Sequence, residues 1–117
     1  MLVVYVLAKD WTMRTAVRAE LREMGVEALG MDSADDVDRA IASGGLPNLV
    51  VLEATAEFLH SPRIQGLVRH VPAVLIASRA EKVSLPDTPA VLYRPVSVAE
   101  IVARVSEILA GSKPHER

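Results

Sequence analysis

The sequence predicts an α/β domain: a doubly wound, five-stranded, all-parallel sheet of order 2-1-3-4-5 with helices on both faces. Three observations carry the prediction. Short aliphatic runs such as Leu2–Leu7, Leu49–Leu52 and Pro72–Ala77 show no polar alternation, the mark of strands buried on both faces. Segments of helical periodicity lie between them, and strand followed by helix recurs five times. The chain of 117 residues has no internal repeat, low-complexity tract or linker to interrupt that alternation. Right-handed crossovers make 2-1-3-4-5 the usual order for such a sheet.

The first strand is Leu2–Leu7. After Asp10 the period changes, and Met13, Val17, Leu21 and Met24 recur at helical spacing. Gly25 stands where a helix C-terminus favours a residue free to take positive φ. Val26–Met31 is a short second strand. Ser33 offers an N-cap to a helix striped by Ala34, Val37 and Ile41, and Gly44-Gly45 ends it. Leu49–Leu52 follows Pro47 as the third strand. Phe58, Leu59, Ile64, Leu67 and Val68 form a less regular helical pattern, with Pro62 near the start of its regular part. Pro72–Ala77 is the fourth strand. Pro86 and Pro89 restrict Ala80–Pro89 to a short helical turn or a loop, so the fourth helix is expected to be shortened. Ala90–Tyr93 is the fifth strand. Ser97 and Glu100 form a capping box ahead of the clearest amphipathic helix, carried by Val98, Ile101, Val102, Val105, Ile108 and Leu109. Residues 1–111 read as one domain and 112–117 as a polar tail.

Composition narrows the function. Half the residues are apolar and almost none aromatic, so Leu, Ile, Val and Ala fill the core. A formal charge of −2 gives no global attraction to nucleic acid or anionic lipid. No cysteine is present, which excludes disulfides, thiolate metal sites and a cysteine nucleophile. No apolar run is long enough to cross a bilayer and no basic segment precedes Leu2, so the expected compartment is the cytoplasm. No Gly-rich phosphate loop, nucleophile elbow or zinc pattern occurs, and the chain is not expected to be an enzyme or to need a cofactor. Function in this type of sheet gathers at the carboxyl ends of strands 1 and 3. That singles out Ala8, Lys9 and Asp10, Glu53–Thr55, Ala77 and Ser78, and Arg94 and Pro95.

At these positions the chain resembles the receiver domains of response regulators, the CheY-like branch of the flavodoxin-like fold. Val6-Leu7-Ala8-Lys9-Asp10-Trp11 stands against the family's apolar strand and acidic pair. Pro47-Asn48-Leu49-Val50-Val51-Leu52-Glu53 resembles the Pro-Asp and aliphatic strand that end in the phosphorylated Asp. Pro72–Ser78 resembles the Pro-led strand ending in a hydroxyl residue and Ala, and Tyr93-Arg94-Pro95-Val96 resembles the Lys-Pro-Phe step. The resemblance implies roles that the residues themselves do not keep. Ala8 and Lys9 replace the acidic pair that helps hold Mg²⁺, with Asp10 adjacent. Glu53 replaces the phosphoacceptor, Ala77 the hydroxyl residue with Ser78 one position later, and Arg94 the Lys. Val91 falls where an aromatic switch residue is usual. The resemblance also implies a cis Arg94-Pro95 bond.

The expectation is therefore a pseudo-receiver in bacterial-type two-component signal transduction, without Mg²⁺-dependent phosphorylation. It would act on a protein partner, whether a signalling kinase, an output domain or itself, with a homodimer through strands 4 and 5 and the last helix as one form. Two alternatives stay open: a divergent regulator phosphorylated on Glu53 or Ser78, and a flavodoxin-like domain that binds a small ligand. Glu53 reads either as a mimic of the phosphorylated state reaching Arg94 or Lys9, or as a drifted position in a local salt bridge. Lys9 reads as a tethered cation in place of the metal or as a solvated lysine. Arg14, Arg18 and Arg22, four residues apart, read as a docking face for an acidic partner or as a solvated helix face. Trp11 reads as a cover over the site or as plain packing. His60, His70 and His115 lack metal-ligand spacing.

Overall fold

The computed structural model describes residues 1–79 and 90–111. Five parallel strands, β1 (Val3–Leu7), β2 (Glu27–Met31), β3 (Leu49–Glu53), β4 (Ala73–Ala77) and β5 (Ala90–Tyr93), pair in the order β2-β1-β3-β4-β5. Around them lie α1 (Trp11–Glu23), α2 (Ala34–Gly44), α3 (Ala56–Leu59), α4 (Pro62–His70) and α5 (Val98–Leu109). The predicted shortening of a helix in Ala80–Pro89 and the polar tail 112–117 fall outside the described residues.

Strand alternation divides the core into two layers. Tyr5, Leu7, Val50, Leu52, Leu75 and Ala77 pack on the side of α2, α3 and α4, against Val37, Phe58, Ile64 and Leu67. Val4, Val6, Leu49, Val51, Val74 and Ile76 pack on the other side, against Val17 and Leu21 of α1 and Ile101, Val102 and Val105 of α5. Both faces of the three central strands are thus covered, which is why their sequences read as unbroken aliphatic runs. Asn48 is a buried polar residue at the head of β3. Its amide donates to the Val3 carbonyl (2.7 Å) and its Oδ1 accepts from the Val3 amide (2.9 Å), tying the starts of β1 and β3 together.

The helix termini follow local chemistry. Asp10, Ser33 and Ser97 cap α1, α2 and α5 by accepting from Met13, Asp36 and Glu100 amides. Gly25 and Gly45 both take φ of 81°, as the C-terminal positions of α1 and α2 require. The irregular pattern around Phe58–Val68 resolves into two helices. Thr55 caps α3, and Ser61 caps α4 with Pro62 at its first position. Proline has no amide to continue α3, but at the start of a helix that amide is not needed.

Candidate functional site

The register brings the carboxyl ends of the central strands level, with Leu7 beside Leu52 and Glu53 beside Ile76. Glu53, the last residue of β3, continues the Leu49–Val51 face and so rises on the α1/α5 side of the sheet. Its side chain is only 12% exposed. Oε1 accepts from the backbone amides of Lys9 (2.7 Å) and Asp10 (3.3 Å), and Oε2 accepts from Arg94 Nη2 at 2.8 Å. One carboxylate therefore joins the β1–α1 loop, the end of β3 and the segment after β5. The amides are available because Ala8–Asp10 leaves the sheet before α1 begins. Arg94 is held in turn by its own amide, which donates to the Ala77 carbonyl at 2.8 Å. The Arg94-Pro95 peptide is cis.

Lys9 departs from its expected place. Its amide binds Glu53, but its ammonium bonds Glu57 Oε2 at 2.9 Å and lies 5.5 Å from the centre of the Phe58 ring. The hydrogen bond that it donates to Glu57 holds the Lys9 pKa above its ordinary value. It is an exposed, ion-paired lysine rather than a cation on Glu53. Its carboxylate partner comes from α3, a helix the sequence did not separate from α4. Thr55 at the α3 cap was the available signal.

Ala8 is fully buried and offers no side-chain ligand, while Asp10 uses its carboxylate to cap α1 through the Met13 amide at 3.1 Å. Both Glu53 oxygens are engaged. Among the described residues no group of three acidic, histidine or cysteine side chains is assembled to hold a cation. A hard divalent ion wants several oxygen ligands, and this donor set does not fit the Mg²⁺ that the receiver resemblance implies. Ala77 closes β4 fully buried, and Ser78 follows, half-buried. Val91 is half-buried against the α2–α4 layer, and Tyr93 is exposed with the Arg79 guanidinium 5.3 Å from its ring centre.

Beside the ion pair lies a cleft of about 430 Å³ lined by Asp10, Met13, Ile76, Arg94, Pro95 and Val98, among others. Trp11 does not cover it. The indole is 66% exposed and belongs to neither core layer, which corrects both expectations for this residue. His60 follows α3 exposed, His70 ends α4 with its Nδ1 3.0 Å from the Gly66 carbonyl, and His115 lies outside the described residues.

The arginines of α1 are not simply solvated. Arg14 Nη1 donates to the Ala8 carbonyl, and Arg18 Nε (3.3 Å) and Arg22 Nη2 (3.2 Å) both donate to the Ala28 carbonyl of β2. β2 is an edge strand, and the two guanidiniums occupy a backbone acceptor on it.

Comparison with protein families finds no match, and neither does comparison with curated proteins. Among solved structures many receiver domains superpose. A response regulator receiver protein from Burkholderia phymatum has a TM-score of 0.73 at 19% identity, covering 98% of this chain and 100% of that one. The receiver domain of the Francisella response regulator 1452 has a TM-score of 0.73 at 13% identity, covering 97% and 100%. The receiver domain of NtrX from Brucella abortus has a TM-score of 0.71 at 18% identity, covering 93% and 99%. What such distant likeness over the whole chain establishes is architecture: this protein has the receiver-domain fold.

Proposed function

We propose that the chain is a pseudo-receiver, a signalling domain that works through a protein partner and takes no phosphoryl group by Mg²⁺-dependent transfer. The observation that carries this is the closed set of contacts on Glu53. In a phosphorylatable site the acceptor carboxylate must be free to attack, with cations placed for the charge of the incoming group. Here one oxygen is bound by two backbone amides and the other by Arg94. The negative charge that phosphorylation would bring is already present in covalent form, and the neighbouring cation is spent on it. With Ala8 and Lys9 in the loop no acidic pair is there to hold a metal, and the nearby cations Lys9 and Arg94 are already paired with Glu57 and Glu53 rather than free to offset charge on a transferring phosphoryl group. The site is best read as a fixed mimic of a phosphorylated one. Its constant state serves a partner that recognises the folded surface.

The test is incubation with acetyl phosphate and Mg²⁺, with intact mass read promptly at low temperature because acyl phosphates hydrolyse. The expected result is an unchanged mass under conditions that phosphorylate an ordinary receiver domain. A stoichiometric gain of one phosphoryl group on Glu53 or Ser78 would instead establish the divergent, phosphorylatable regulator.

A further inference from the structure

The face of α1 turned to the β2 edge carries charge that the fold does not answer. Arg14, Arg18 and Arg22 each place one N–H on a backbone carbonyl, and none pairs with a carboxylate among the described residues. Burial, with the like charges of Arg22 and Arg14, lowers the Arg18 pKa, so the row repels itself. The guanidiniums of Arg39, Arg63, Arg94 and Arg104, by contrast, pair with carboxylates of the chain itself. Blunting the β2 edge accounts for one donor from Arg18 and one from Arg22. A guanidinium has five N–H donors, so most of each fork is left over. The carbonyl contacts also pin the forks in place, which reduces the ordering cost of any complex they form.

Gly30 leaves this arrangement its room. A Cβ there would lie 2.8 Å from Arg18 Cδ and 3.2 Å from Arg14 Cδ. The side chain that is missing at Gly30 is therefore what lets two of the three arginines lie down over β2.

We propose that this row docks an acidic segment of a protein partner. Residues four apart on a helix rise about 6 Å, so the row starts from backbone positions that span about 12 Å. The Arg18 and Arg22 forks then converge on the Ala28 carbonyl, while the Arg14 fork lies on the Ala8 carbonyl further along the sheet, which leaves two separated centres of positive charge. A compact anion engages one of these centres, and an extended segment that carries several carboxylates engages both. The proposal does not rest on the Glu53 reading, because none of the three arginines contacts the Glu53 carboxylate.

The experiment follows the arginine Nε–Hε and backbone amide NMR signals of the whole chain at low salt. The probe is a Gln/Ala-rich helical peptide with glutamate at every fourth position. The three arginine signals are expected to shift together and saturate. The same peptide with glutamine for glutamate is expected to leave them in place. Replacing all three arginines by Gln is expected to weaken binding roughly tenfold or more, as the loss of three exposed ion pairs implies, and Arg104→Gln on α5 to change nothing. Gly30→Ala moves Arg18 without removing its charge and is also expected to weaken binding, a loss that simple charge attraction does not predict. The proposal is overturned if the signals do not saturate, if inorganic phosphate at equal charge reproduces the shifts, or if an RNA oligonucleotide outcompetes the peptide. Because the peptide arms use the unaltered chain, poor folding of the triple variant leaves the test intact.

Discussion

Breaking the Glu53–Arg94 pair measures how far the site depends on its own charges. Exposed pairs contribute ~0–1 kcal/mol, and removing one member of a fully buried pair costs ~3–5 kcal/mol. This pair lies between, with the Glu53 side chain 12% and the Arg94 side chain 42% exposed. Glu53→Gln keeps the shape but removes the charge and leaves one acceptor oxygen for donors that now use two, so either the backbone amides or the guanidinium faces an NH2 group, a loss of ~2 kcal/mol. Arg94→Met leaves the carboxylate on the Lys9 and Asp10 amides alone, and is expected to cost ~1–2 kcal/mol. The double variant should fall short of the sum by ~1–2 kcal/mol. The corresponding cycle with Lys9→Met should show coupling under ~0.5 kcal/mol, because the Lys9 ammonium is on Glu57 and only its backbone contacts Glu53. Urea unfolding followed by far-ultraviolet circular dichroism is the suitable assay, since Trp11 is too exposed to report the core. Negligible coupling in the Arg94 cycle, or larger coupling in the Lys9 cycle, would refute the charge arrangement described here.

Three further outcomes are expected. Mg²⁺ up to ~10 mM should produce no saturable shift of the Lys9 and Asp10 amide signals, since too few oxygen ligands are free; a saturable shift abolished by Glu53→Gln would reverse that conclusion. Gly66→Ala, inside α4 with nothing within 4 Å of the new Cβ, should stabilise the fold by ~0.5–1 kcal/mol, whereas Gly45→Ala at φ 81° should destabilise it by about 1 kcal/mol; equal signs in urea unfolding would contradict the backbone assignment. The Asp36 carboxyl is held below its ordinary pKa chiefly by the hydrogen bond from Arg39. Its contribution to stability is present above the unfolded-state value of ~3.9 and disappears as pH falls through the lower folded value, so Arg39→Gln should reduce the acid sensitivity of unfolding below pH ~4, and an unchanged acid limb would count against it.

The sheet was legible because burial on two sides leaves an unmistakable trace. Val3–Leu7 and Leu49–Leu52 have almost no polar residue to mistake for a solvent face. Caps were legible too, since Ser33 and Ser97 act within four residues of sequence. The break between α3 and α4 was missed because both segments share one hydrophobic layer, so Phe58 and Ile64 look continuous although Ser61-Pro62 starts a new helix. The partners of long side chains were the least legible. Lys9 stands equally near, in sequence terms, to the ends of several strands, and only the placement of α3 decides for Glu57. Arg18 and Arg22 were not assigned to Ala28 although the predicted strand order already put β2 at the sheet edge, because the carbonyl they meet depends on how α1 lies over that strand.

Those assignments together give the molecule a consistent division of charge. At the strand ends, where the fold gathers reactive groups, the opposite charges meet one another: Glu53 with Arg94, Lys9 with Glu57. The Glu53 carboxylate touches the loop amides through one oxygen and a guanidinium through the other. A site closed in this way has little electrostatic attraction left for metal or phosphate. Among the described residues, three cations without a carboxylate partner lie in a row on the flank, along α1, fixed by carbonyls and given room by Gly30. On the function proposed above, a domain neutralised at its strand ends and charged along one helix works by recognition at its surface, and loss of function by mutation is expected to concentrate there.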